Sequence, residues 1–179
     1  ILLGQYPAFR ADLQKLRDPL TPNGQHEKVT PGFFDWIWLN HILGEDDKTL
    51  EWFDKAMRPH LVADNEYLRD LVFEVLRQKG RWADVGGLIA KPSQDVGQLL
   101  DDHHRTHTQL VPQAEKAKAD QTMWKAVAEL RAALLAAGRK KDAEQVAIRA
   151  RLAAPSEGLE AALAEAEQRA NSTSTPTLT

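Results

Sequence analysis

The chain has 179 residues, of which 42% are hydrophobic and 27% charged, with 23 basic against 26 acidic residues and a net charge of −3. That balance suits a globular core and argues against a basic face for nucleic acid. With no cysteine, disulfides, thiolate metal sites and cysteine nucleophiles are excluded.

Tyr6 to Arg17 reads as a short helix with Phe9, Leu13 and Leu16 on one stripe. Asp18 to Gly24 is a proline- and glycine-punctuated linker. Thr30-Pro31 opens the next helix, a hydroxyl at the N-cap and proline at the first helical position. From Phe33 to Leu43 that helix is apolar almost all round, and Gly44 ends it. Asp47 to Met57 returns, with Leu50, Phe53 and Met57 inward and Pro59 closing. Asp64 is placed to cap a helix through Tyr67, Leu68, Leu71, Val72, Val75 and Leu76, which stops at Gly80. Trp82, Val85 and Ile89 carry a shorter helix, weakened by Gly86-Gly87 and ended by Pro92.

Between Ser93 and Pro112 a further helix fits no hairpin register, and a short one follows through Lys118. Met123 to Ala137, Gly138-Arg139 and Lys140 to Leu152 form a helix, a tight turn and a second helix, with Pro155 beyond. Ser93 and Ser156 are expected as helix caps, and Leu159, Leu163 and Ala166 face inward from the last helix. Asn171 to Thr179 is a polar tail. The Arg139-Lys140-Lys141 cluster reads as a solvated turn, since Asp142 and Glu144 follow it at once. No stretch alternates like a strand, so the expected fold is all-α.

Gly44, Gly80 and Gly138 each separate two helical runs, and with them the sequence resembles the tetratricopeptide (TPR) family of helical repeats. Aligned on Gly138, the family's small second-helix positions fall on Ala143 and Ala150, its closing proline on Pro155, and its first-helix apolar positions on Val127, Leu130 and Leu134. Aligned on Gly44, they fall on Phe33, Trp36, Phe53, Ala56 and Pro59; aligned on Gly80, on Val72, Leu76, Trp82 and Ile89. The first two glycines are 36 residues apart, close to the family period of about 34. The next interval is 58 residues, which implies an insertion.

The resemblance implies stacked α-α hairpins in a short right-handed solenoid. The expected organisation is an N-terminal helix and linker (1–29), a repeat domain (30–155, insertion about 91–119), a capping helix (156–170) and a flexible polar tail (171–179). An irregular helical bundle is the other all-α reading.

Stacked hairpins make a binding surface rather than a reaction centre. The expected role is a protein-interaction scaffold or structural subunit, not an enzyme, with protein partners and no cofactor. Six aromatics crowd two adjacent helices, and Trp36 and Trp38 lie about 200° apart around one of them, so one can face outward. Trp38 is expected to be that one, since Trp36 shares the stripe of Phe33 and Asn40. Candidate contact residues are Phe34, Trp38, His41, Tyr67 and Arg131.

The alternative is a helical metal-binding protein or metal-dependent enzyme using His103, His104 and His107. His103 and His107 share a helix face at i, i+4, with Asp102 or Glu115 to complete a ligand set. Serine nucleophile elbows and phosphate-cradling loops are absent from the sequence. No apolar run approaches the roughly 20 residues of a membrane helix. Membrane association would therefore come only through segments before Ile1, and a cytoplasmic or periplasmic location fits equally. The alanine- and arginine-rich third hairpin has a bacterial look.

Overall fold

In the computed structural model, which describes residues 7–22, 31–56 and 65–173, every regular element is helical and the described residues include no strand. In chain order the α-helices are α1 (Pro7–Arg17), α2 (Pro31–Leu43), α3 (Asp46–Ala56), α4 (Glu66–Gln78), α5 (Trp82–Leu88), α6 (Pro92–Thr108), α7 (Gln113–Ala136), α8 (Lys140–Ala153) and α9 (Glu157–Thr173). A 3-10 turn, Asp18–Leu20, follows α1. The chain divides into two compact units, Ile1–Lys79 and Gly80–Thr179. Each has its own logic.

In the first unit, α2 packs against α1, α3 and α4. Gly44 terminates α2 with φ 70°. Its N–H donates to His41 O at 3.0 Å, and Glu45 N–H donates to Asn40 O at 2.8 Å. This paired closure satisfies two terminal carbonyls and needs a residue that tolerates left-handed geometry. Gly138 repeats it after α7, with φ 75° and bonds to Leu135 O at 2.9 Å and from Arg139 N–H to Leu134 O at 2.8 Å. Gly80 has φ 68°, and the boundary between the two units falls beside it.

Phe33 and Trp36 are buried, and both pack against Trp52, with ring centroids 4.2 and 6.5 Å away. Among polar side chains, Asn40 and Thr49 are fully buried and 3.4 Å apart. The expected caps at Thr30 and Asp64, and the inward residue Met57, lie outside the described residues. Asn65 caps α4, its side-chain oxygen accepting from Leu68 N–H at 3.1 Å.

The apolar stripe expected on α1 is not the inward one: Phe9 is 56% and Leu16 63% exposed. Instead Arg10, Gln14 and Arg17, at i, i+4 and i+7, face the α2–α3 turn and converge on Glu45. Lys48 approaches the same carboxylate at 2.7 Å. Arg17 is itself buried and also bonds Asp18 and Asn40. The bond from Lys48 holds the Glu45 carboxyl at about 2, against the upward push of partial burial, with Arg17 and Gln14 adding to the effect. Charge-assisted hydrogen bonds thus help to dock α1, alongside the half-buried Leu13.

In the second unit α7 is the axis, packed against α5, α6, α8 and α9. It runs unbroken for 24 residues. The short helix expected up to Lys118 is the beginning of this one, because no glycine or proline interrupts 113–136. Pro92 begins α6 rather than merely ending α5: it occupies a first-turn position, where its missing N–H costs nothing. Ser93 is exposed in the first turn and makes no cap; the N-cap is Lys91. Ser156 does cap α9, accepting from Leu159 N–H at 3.1 Å. Leu159, Leu163 and Ala166 are buried as expected, and α9 continues through Thr173, three residues into the expected tail.

Small residues set the helix spacing: Ala128 and Ala132 of α7 pack with Ala166 of α9. Gly86, inside α5, sits against the Ala133 carbonyl of α7. Arg139 is not simply a solvated turn residue, for its guanidinium donates to Gly86 O at 3.0 Å and to Ile89 O, closing the C-terminal end of α5. Lys140 and Lys141 are exposed.

Arg131 is buried between helices, donating to Leu163 O at 2.7 Å and to Glu167, while its Nε has no partner. A buried guanidinium with one unsatisfied donor and a half-exposed anion returns little net stability. Arg131→Met is therefore expected to change stability by less than about 1 kcal/mol, or to raise it. Arg131→Ala, which leaves a void, costs about 2 kcal/mol. Urea denaturation of both variants distinguishes these outcomes.

Candidate functional site

Four of the five expected contact residues line one groove in the first unit. It has a volume of about 590 Å³ and is bounded by Phe34, Ile37, Trp38 and His41 of α2 and by Tyr67, Asp70, Leu71 and Glu74 of α4. Each helix contributes positions i, i+3, i+4 and i+7 of its own stripe, so both walls run for two turns. Trp38 is 52% and Tyr67 81% exposed, whereas Trp36 is 4% exposed. Trp38 is thus the outward tryptophan of α2.

Trp38 stacks on His41 with centroids 6.0 Å apart and planes 12° from parallel. His41 Nδ1 lies 3.1 Å from Asp46 Oδ1 at the start of α3, which fixes the imidazole and through it the indole. The α4 wall carries two exposed carboxylates one turn apart, Asp70 and Glu74. Arg69 and Arg77 approach them at 3.6 and 3.9 Å but are not among the lining residues. Arg131 does not belong here. It lies in the other unit, 6% exposed, with its polar atoms turned to α9, so its burial corrects its place among the contact residues.

Ile37, Leu71, Asp70 and Glu74 were missed as lining residues. The signal for them was the i+3 and i+4 spacing from Phe34 and Tyr67, which becomes usable only once α2 and α4 are known to be neighbours.

The second cluster is in the Gly80–Thr179 unit. His103 and His107 lie on α6, and their Nε2 atoms are 2.7 and 2.8 Å from the same atom, Asp120 Oδ1 of α7. The imidazole centroids are 4.4 Å apart. Burial alone would raise the Asp120 carboxyl, but the bonds from the two imidazoles outweigh it and hold the group below the usual carboxylate range. The third residue is therefore Asp120 rather than Asp102 or Glu115. Asp102 is turned to Arg105, Glu115 is exposed, and His104 is exposed on another face of the helix.

Comparison with known proteins finds no matching family model, no matching curated protein and no matching solved structure. Among the described residues, no helix is long and apolar enough to cross a membrane.

Proposed function

We propose that the chain is a protein-interaction module whose first unit docks one amphipathic α-helix of a partner protein, apolar stripe inward and Lys or Arg beside it. The observation that carries this reading is the shared register of the groove walls. Two neighbouring helices each present i, i+3, i+4 and i+7 to the same cleft, the pattern that a third helix meets when it packs side by side. Trp38 and Tyr67 supply the aromatic anchors that dominate such interfaces. Asp70 and Glu74, with no lysine or arginine among the described lining residues, favour a basic flank on the occupant.

TPR-like stacking of the hairpins is the architectural part of the proposal. In that arrangement the first helix of each hairpin lines the binding face, and α2 would be such a helix. The role is that of a scaffold or a fixed subunit of a larger assembly, with no catalytic residue assigned.

The test is a selection of displayed peptides on the immobilised full chain, with helix-forming and extended libraries in competition. Helical peptides with apolar residues at i, i+3 or i+4 and i+7 and adjacent lysine or arginine are expected to emerge. Trp38→Ala/Tyr67→Ala should weaken them by about 30-fold, a hot-spot loss of roughly 2 kcal/mol. Enrichment of extended or acidic peptides, or equal binding to the double variant, would overturn the reading.

A further inference from the structure

We propose that His103, His107 and Asp120 hold a divalent transition-metal ion of the zinc class, which pins α6 onto α7 and leaves its fourth position to water. The site lies outside the helix-docking groove and does not depend on it.

Three different ligand atoms converge within 4.8 Å of one another, two imidazole nitrogens and one carboxylate oxygen, contributed by two helices that already pack together. Two histidines at i, i+4 with a carboxylate from a neighbouring element form a donor set that suits zinc and its first-row neighbours rather than calcium or magnesium, which prefer all-oxygen shells. Tetrahedral ligands at zinc distances stand about 3.3 Å apart, against the 2.7 and 2.8 Å between each imidazole and the carboxylate. Admitting the ion needs the side chains to part by about half an ångström, within ordinary χ-angle freedom.

The ligands are reachable: side-chain exposure is 13% for His103, 33% for His107 and 29% for Asp120. Beside them lies a cleft of about 220 Å³ lined by His103, Asp102, Thr106 and Thr122 among others, with room for the water. Two fixed positive charges are close and already occupied. Arg105 is bound by Asp102, and the Lys116 ammonium donates to His107 O at 3.1 Å. The cluster thus presents one carboxylate oxygen and two imidazole nitrogens to an incoming cation.

The experiment uses the full, tag-free chain, stripped with chelator and titrated with zinc sulfate by calorimetry near neutral pH. One zinc per chain is expected, with a dissociation constant tighter than about 10 μM. His107→Ala and Asp120→Asn should each weaken it by at least about tenfold, while His104→Ala should leave it unchanged. Cobalt(II) in place of zinc should give the visible bands of a tetrahedral ion in the parent chain and not in Asp120→Asn, whose folding is checked by circular dichroism. Zinc binding weaker than that limit, or equally tight in folded His107→Ala, would overturn the proposal.

Discussion

Glu45→Ala is expected to destabilise the Ile1–Lys79 unit by about 3 kcal/mol, the cost of removing one partner from a largely buried ion pair. The reason lies in what it abandons. Arg17 is 6% exposed and would keep only Asp18 and Asn40, while Arg10, Gln14 and Lys48 would lose their shared acceptor. The same carboxylate imposes a pH dependence whose sign follows from its depressed value. A carboxyl held at about 2 in the folded state, against an ordinary 4.5, contributes stability that is fully present above pH 4.5. That stability is lost as the pH falls from 4.5 through 2, by on the order of 3 kcal/mol in all. Hydrogen exchange of α1 and α2 amides across that window is the appropriate measurement, because tryptophan emission mixes signals from both units. Glu45→Gln should show a correspondingly flatter acid limb. An unchanged limb would mean that the convergence on Glu45 contributes nothing.

Gly86→Ala should cost the other unit about 3 kcal/mol or more, at the upper end for overpacking. A methyl group there would overlap the Ala133 carbonyl oxygen and lie 2.6 Å from its carbon and 2.8 Å from the Ala137 Cβ. The nearest obstacles are backbone, so no side chain can swing aside. α5 would have to move as a whole, straining the bonds from Arg139 to Gly86 O and Ile89 O. Gly87→Ala supplies the contrast. Nothing lies within 4 Å of its Cβ position, and alanine should gain about 0.5–1 kcal/mol from helix propensity. Two adjacent glycines are thus expected to respond with opposite signs in thermal melts. Similar responses would show that α5 does not approach α7 as closely as described.

The parts of this fold legible in the sequence are those governed by neighbours in the chain. Left-handed geometry at Gly44, Gly80 and Gly138 follows from what only glycine does cheaply, and the Ser156 cap follows from three-residue spacing. The outward setting of Trp38 follows from helical periodicity alone. What stayed hidden depends on partners distant in sequence. On α1 the apolar stripe is plain in the sequence, yet Arg10, Gln14 and Arg17 are the residues that turn inward, because their bonds to Glu45, more than 25 residues away, outweigh the cost of leaving Phe9 and Leu16 in water. Gly86 read as a helix defect because its value is measured against Ala133. Asp120 was invisible as a companion of His103 and His107 for the same reason. It falls between the short helix expected up to Lys118 and the one expected from Met123, in what is one continuous helix, so no register connects it to the histidines in the sequence alone.

The central position of α7 has a consequence for how the chain is made. During synthesis α5 and α6 emerge before their principal partner exists, so Trp82, Val85 and Val96 must wait, uncovered, until the axis has cleared the ribosome. The earlier unit, whose neighbours are complete by Lys79, has no such delay. A nascent chain with roughly its first 110 residues outside the ribosome would therefore carry one finished body and one oily, unclosed half, and that is the stage at which a chaperone would find most to hold.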